Sequence, residues 1–314
     1  MPEPQPVFFD DEMIYAGASP AVLIEALREA FAEGAETPER MHFALNETDT
    51  LLVMPAWRTG QAIGVKVATV MPGNADEGRP TVDGAYLLLD GRTGAARAVF
   101  RAAALTQVRT AAVSALACSA MARPDAARLL MIGTGALAPQ LIRAHLAVRP
   151  IHEVAIWGRS NAKARALADA LGDLACDLTI SSDLARSVPQ ADIVSCATLS
   201  RAPLVFGRDV RSGTHIDLVG SFKPSMREAD GDLVGKGRVV VDSWTALFES
   251  GDLVQARAEG VLREAEVRSL AEVLKRPAGA RQSADKITVF KSVGTALSDL
   301  AVAALLYARR PLDP

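Results

Sequence analysis

The chain has 314 residues, 49% of them hydrophobic and 23% charged, with a formal net charge of −3 at pH 7. That length suggests two domains, each able to bury a core. The charge balance gives no general attraction for nucleic acid, no Lys/Arg run compensates locally, and no apolar run is long enough to span a bilayer.

The N-terminus carries Glu3, Asp10 and Asp11 and lacks a basic segment leading into an apolar one, so no secretory signal is expected and the protein reads as cytoplasmic. Ser19-Pro20 opens the first predicted helix with a cap and a first-turn proline; Val22, Ala26, Leu27, Ala30 and Phe31 form its buried stripe and Gly34 stops it. Strand-like segments follow at 51–54, 63–70, 85–89 and 96–100, separated by turns such as Met71-Pro-Gly-Asn74 and Asp90-Gly-Arg-Thr-Gly94. This block reads as antiparallel. In the segment Ile63–Val70, Ile63, Val65 and Val67 face one way, and Gly64, Lys66, Ala68 and Val70 the other. Lys66 therefore has small and apolar neighbours and is expected to enter a partly dry cavity, where its charge needs an anionic partner. A lysine alternating out to solvent is the plain alternative. Arg40 and Arg109 are candidates to converge with it, although spacing alone does not bring them together.

An Ala-rich helix from Leu105 to about Ala122 suits either a subunit contact or tight internal packing, and Arg123-Pro124 interrupts it. Arg128-Leu-Leu-Met-Ile-Gly-Thr-Gly-Ala-Leu-Ala138 then runs an apolar strand into a glycine turn and a helix expected over 136–148. Gly133 permits the tight turn, Gly135 lets backbone approach a pyrophosphate, Ala138 lets the helix pack closely, and the helix N-terminus offers N–H groups to an anion. With a second strand at 153–157 this is a dinucleotide-binding unit. At the end of that strand NAD enzymes usually place a carboxylate for the ribose 2′-hydroxyl, but here stand Gly158, Arg159, Ser160, Asn161 and Lys163. NADPH is favoured over NADH: Arg159 would stack on adenine and meet a 2′-phosphate, with Ser160 adding a hydroxyl and Lys163 a second charge. The alternative is that Ser160 or Asn161 caps a helix over 162–171 and Arg159 is a solvated charge.

Downstream, strands at 177–180, 192–196, 214–219 and 238–241, with a helix from Ser182, give a doubly wound α/β pattern. Residues 276–284 read as a mobile loop. Residues 289–307 start as a strand and continue as a helix whose apolar face is too large to leave in water. Cys118, Cys176 and Cys196 have no paired spacing and sit in apolar or strand-like settings, which points to reduced core thiols. His42, His145, His152 and His215 show no metal-ligand spacing, so no metal is expected.

Glu39-Arg40, Leu52-Val-Met-Pro-Ala56, Gly64-Val-Lys66, Pro72-Gly-Asn74, Arg79-Pro-Thr-Val82, Leu105-Thr106, Arg109-Thr-Ala-Ala-Val-Ser114, Ile132-Gly-Thr-Gly135 and Phe290-Lys-Ser-Val-Gly294 together resemble the ornithine cyclodeaminase/μ-crystallin family, in order and across nearly the whole chain. The resemblance implies an α/β homodimer: a Rossmann domain (123–288) inserted in an α+β substrate and dimerisation domain (1–122 with 289–314). It implies that Arg40, Lys66 and Arg109 grip a substrate carboxylate and that Met54 and Val293 line the pocket. Thr81, Arg109, Ala136, Leu137, Thr198, Val219 and Ser292, with Gly133 and Gly135, fall at dinucleotide-contacting positions.

One segment departs from the ornithine cyclodeaminase pattern. Where those enzymes carry an Asp that handles protons at the substrate amine, Val219-Gly-Ser-Phe-Lys-Pro-Ser-Met-Arg-Glu228 places Phe222, which cannot accept a proton. The segment instead resembles bacterial reductases of Δ1-pyrroline-2-carboxylate and Δ1-piperideine-2-carboxylate. Reduction of such cyclic 2-imino acids to L-proline or L-pipecolate is the implied activity, with Phe222 and Met54 walling the ring and Lys66 catalytic. The nitrogen proton comes with the substrate or from Lys66. His42 either contacts substrate or packs. Alternatives are alanine or open-chain imino acid dehydrogenation, ornithine cyclisation through another carboxylate, and a non-catalytic NADP-binding protein like μ-crystallin.

Overall fold

The computed structural model describes residues 5–310, so Glu3 lies outside them. In chain order the elements are β1 (Val7–Phe9), α1 (Asp11–Ala16), α2 (Pro20–Glu33), β2 (Met41–Ala44), β3 (Thr50–Arg58), β4 (Ala62–Val70), β5 (Val82–Asp90), β6 (Ala96–Arg101) and α3 (Ala102–Met121). They continue with β7 (Arg128–Ile132), α4 (Ala138–Leu146), β8 (Glu153–Trp157), α5 (Asn161–Ala170), β9 (Asp177–Ile180), α6 (Leu184–Ser187), β10 (Ile193–Cys196), β11 (His215–Leu218), α7 (Gly231–Lys236) and β12 (Arg238–Val241). The last are α8 (Ala246–Glu249), α9 (Gly251–Ala258), β13 (Arg268–Ser269), α10 (Leu270–Lys275), β14 (Thr288–Lys291) and α11 (Ala296–Arg309). The chain divides into two compact units, one ending at Thr110 and resuming at Thr295, the other running from Ala111 to Gly294. These divides lie 12 residues before the sequence-based boundary at 122 (122 − 110) and six residues after that at 288 (294 − 288), inside α3 and just before α11.

The first unit is a six-stranded sheet in the order β1-β6-β5-β4-β3-β2. Its pairings are antiparallel except at the edge, where the short strand β1, absent from the sequence reading, lies parallel to β6. Period-two patterning governs β4: Gly64, Lys66, Ala68 and Val70 are buried while Val67 is exposed. Helix α11 packs across β3 and β4 and against α2, burying Leu297, Leu300 and Leu306. Ser19 stands at the N-cap of α2 without a side-chain hydrogen bond; Pro20 in the first turn and Gly34 at φ +79° bound the helix. Gly64 has no room for a side chain, because a Cβ there would lie 1.8 Å from the Tyr86 hydroxyl on the neighbouring strand.

The second unit is an eight-stranded, all-parallel sheet in the order β13-β12-β14-β11-β10-β7-β8-β9. Apart from Arg128 and Arg238 at their starts, strands β7, β10, β11, β12 and β14 are buried along their length on both faces, as a parallel sheet requires. The chain winds outward from β7 in both directions, which puts a topological switch point between β7 and β10. Beneath this sheet His145 of α4 meets Asp217 of β11 at 3.2 Å, and Ser195 donates to the same carboxylate at 2.7 Å. All three side chains are fully buried. Burial pushes the imidazole toward its neutral form, but its hydrogen bonds to Asp217 and Cys118 prevail and lift its pKa to about 10.

Several expectations are corrected here. Helix α4 starts at Ala138, so Ala136 and Leu137 belong to the turn. Cys176 is half-buried in the turn before β9, whereas Cys118 and Cys196 are buried free thiols. In the loop at 276–284, Arg281 donates to the carbonyls of Met121, Gly213, Ala284 and Lys286. No helix among the described residues is long and apolar enough to cross a membrane.

Candidate active site

In the first unit, Met54, Lys66 and Tyr86 stand opposite one another on β3, β4 and β5, pointing to the covered face. Helix α11 brings Asp299 onto this rung. Its carboxylate lies 2.7 Å from Lys66 Nζ and accepts from Arg109 Nε at 2.9 Å. Asp299 is 0% exposed and Lys66 and Arg109 are each 5% exposed. Burial pushes the Lys66 ammonium down to about 8; Asp299 pulls the other way, and the charges of Arg109 and Arg40 depress it further. Burial likewise opposes ionisation of Asp299, yet the two cations hold its pKa below the ordinary carboxylate value. Lys66 and Arg109 against Asp299 leave a formal excess of one positive charge, and Arg109 commits only Nε to Asp299. The arrangement can hold an organic anion in a largely dehydrated site, where charge-assisted bonds are strong.

Arg40 comes just before β2, close enough for its charge to act on Lys66. His42 is exposed on β2 opposite Leu52, on the same sheet face as Lys66 by register. Thr81 lies just before β5, its carbonyl accepting from Met71 N at 2.7 Å. The structure thus gathers Lys66, Arg109, Met54 and the influence of Arg40 in one unit. Asp299 was missed: the sequence reading sought the anionic partner of Lys66 in a substrate.

In the second unit, Gly133 ends β7 at φ +121°, and a Cβ there would come within 2.5 Å of the Ala197 carbonyl. Gly135 faces open space, with nothing within 4 Å of where its Cβ would stand. A glycine cradle open in front of α4, at the switch point, fits a dinucleotide pyrophosphate. Arg159 is exposed after β8, making no ion pair among the described residues, and no carboxylate occupies positions 158–163. Ser160 caps α5, accepting from Lys163 N at 3.4 Å, while the Lys163 side chain is exposed.

Thr198 follows β10, Val219 follows β11, and Ser292 and Val293 follow β14, so all four stand at the carboxyl ends of parallel strands. Ser292 donates to Asp242 at 2.7 Å, and the same carboxylate accepts from Gly294 N at 2.8 Å. Phe222 is half-buried in the loop after β11. Glu228, Asp252 and Lys291, fully buried beneath these loops, were also missed. Burial pushes the Glu228 carboxyl up to about 7, against the pull of Lys291. Among the described residues no group of three His, Cys, Asp or Glu could hold a metal ion.

The profile of the ornithine cyclodeaminase/mu-crystallin family matches residues 12–311. A Delta(1)-pyrroline-2-carboxylate reductase of Paracoccus denitrificans is 41% identical over 284 residues, 88% of this chain and 90% of that protein. Among solved structures, the Thermococcus litoralis Delta(1)-pyrroline-2-carboxylate reductase in complex with NADH and L-proline superposes with a TM-score of 0.91 at 31% identity, covering 96% of this chain and 97% of that one. An archaeal alanine dehydrogenase dimer with bound NAD gives a TM-score of 0.90 at 28% identity, covering 97% and 95%.

The Asp299 pairing predicts the effect of neutralising it. Asp299→Asn strands two buried cations and should cost about 3 kcal/mol or more in chemical denaturation. Because Asp299 raises the Lys66 pKa, the variant lysine should lose its proton below its present value of about 8, as read by side-chain NMR. An unshifted Lys66 titration would show that Asp299 does not set its charge.

Proposed function

The chain belongs to the ornithine cyclodeaminase/mu-crystallin family, and on that premise we propose that it reduces the cyclic 2-imino acids Δ1-pyrroline-2-carboxylate and Δ1-piperideine-2-carboxylate to L-proline and L-pipecolate, with NADPH preferred and NADH as the weaker donor. The observation that carries this reading is the buried pair of cations, Lys66 and Arg109, braced by Asp299. A 2-imino acid brings one carboxylate, which neutralises the formal plus-one charge of the Lys66, Arg109 and Asp299 set. Met54 supplies an apolar wall opposite Lys66. A phenyl ring at position 222 removes the acid-base group that ornithine cyclisation would use there.

A bound nicotinamide cofactor would supply the hydride; the chain's own task is to fix and orient the imine and exclude water. Gly133, Gly135, Ala136, Leu137, Thr198, Val219 and Ser292 are the residues we assign to holding it, with Arg159, Ser160 and Lys163 toward the adenosine 2′-phosphate. Lys66 anchors the carboxylate as an ammonium. With its pKa lowered toward 8 it is also a competent proton donor to the imine nitrogen.

A second copy of the chain is proposed to cover the outer face of the first unit's sheet. The rung Phe8, Val99, Leu87, Val65 and Pro55 and, up to Arg101 at its end, the neighbouring rung Met41, Val53, Val67 and Ala85 are apolar or small. Phe8 is 56% exposed, and Met41 and Val67 each 43%. A sheet apolar on both faces, with one uncovered, marks an association surface, and the alanine dehydrogenase of similar fold is a dimer.

NADPH oxidation should be rapid with both cyclic imines, slow with pyruvate plus ammonia, and ornithine with NAD should give no cyclisation; turnover confined to the open-chain mixture would overturn the reading. The kcat/KM for imine should fall as pH rises through about 8, where Lys66 loses its proton. Lys66→Arg should move that limb upward, and Lys66→Met should cost about a hundredfold or more; a limb unmoved in Lys66→Arg would assign it to another group. Arg159→Ala should cut the preference for NADPH over NADH about tenfold or more, a loss confined to NADPH affinity. Val65→Lys should yield monomers in sedimentation, and an unchanged dimer would place the interface elsewhere.

A further inference from the structure

We propose that Glu228 is a positioning residue for the cofactor, a single carboxylate that sets the cofactor-facing ends of β10 and β11. Its Oε1 accepts from Thr198 N at 2.7 Å and Thr198 Oγ1 at 2.9 Å, just past the end of β10. Its Oε2 accepts from Gly220 N at 2.7 Å and Ser221 N at 3.2 Å, just past β11. Four donors from two loops therefore converge on one side chain that is 0% exposed.

The carboxylate is itself held from behind. Asp252 accepts from the backbone N–H groups of Glu228 and Ala229 at 2.6 and 3.0 Å. Lys291, the last residue of β14, places Nζ 3.1 Å from Asp252 and 3.9 Å from Glu228. Lys291 immediately precedes Ser292, so the same cluster reaches a third strand end. Gly220 must lack a side chain, because a Cβ there would stand 1.9 Å from the Thr198 carbonyl and 2.6 Å from Glu228 Oε1. Gly133 closes the arrangement, its missing Cβ lying against Ala197 and 3.4 Å from the Thr198 side chain.

Unpaired loop N–H groups in a dry interior carry a penalty that this carboxylate removes, and their directions are thereby set before a ligand arrives. Pre-organised loops spare binding the cost of ordering them. Two carboxylates and one ammonium buried together are not an obvious source of stability, since an apolar substitute often serves as well. Their arrangement around three strand ends is what a positioning role requires.

This inference rests on the reading that the second unit binds a nicotinamide dinucleotide. The test compares Glu228→Gln with the wild-type chain by NADPH fluorescence titration and by amide hydrogen exchange without ligand. The carboxamide keeps the shape, but its NH2 group faces donors on one side. The expected result is about tenfold weaker NADPH affinity with exchange protection lost at Thr198, Gly220 and Ser221 and kept in the sheet. Wild-type affinity, or protection lost evenly across the unit with affinity intact, would overturn the proposal. If Glu228→Gln does not fold, Glu228→Asp, one methylene too short to span both loops, should show the same pattern at about threefold, and wild-type affinity in that variant would count against it equally. Failure of the wild-type chain to bind NADPH or NADH would remove the dinucleotide reading itself, whereas the exchange comparison needs no ligand.

Discussion

Asp299 is the constraint on which the first unit depends. It places a full negative charge, with no solvent exposure, between a lysine from the middle of a sheet and an arginine from the first half of α3. Each of the three charges would be costly there alone, because an unpaired buried ion costs several kcal/mol, a large share of a domain's net stability. Together they are tolerable, and the requirement for α11 to deliver the carboxylate explains why the last helix belongs with the first sheet. The surplus of cation over anion distinguishes the cluster from a purely structural ion pair, since one more carboxylate improves its electrostatic balance.

Carboxylates organise the second unit as well, in a different way. Parallel strands end in loops whose N–H groups point away from the ladder and have no partners within it. Glu228 and Asp242 satisfy those groups at β10, β11 and β14, each by accepting from several backbone amides. The glycine turn after β7 needs no such support, because Gly133 and Gly135 meet its demands through conformation and empty space.

Elements with a short-range physical signature were legible in the sequence. Alternation in β4 put Lys66 on the buried face, and the strand, glycine and helix order around Gly133 and Gly135 announced the switch point. The bounds of β9 and β12 agree with the sequence reading, β10 starts one residue later, β11 is one residue shorter at each end, and β14 starts one residue earlier. Asp299 was not legible, because an aspartate in the first turn of an amphipathic helix looks like an ordinary favourable dipole interaction. Its partners lie 190 and 233 residues away (299 − 109 and 299 − 66), and only the packing of α11 on β4 unites them. Glu228 was visible as a motif letter, but its task depends on loops from two other strands. Strand β2 was missed because all four of its residues are exposed at the sheet edge and carry no burial pattern.

The position of a substrate carboxylate is decisive, and a crystal structure of the protein with L-proline bound reads it most directly. It should place the carboxylate oxygens within about 3 Å of Lys66 Nζ and the terminal nitrogens of Arg109, with the ring toward Met54 and Asp299 still braced between the two cations. A carboxylate bound elsewhere, with Lys66 and Arg109 closed on Asp299 alone, would contradict it.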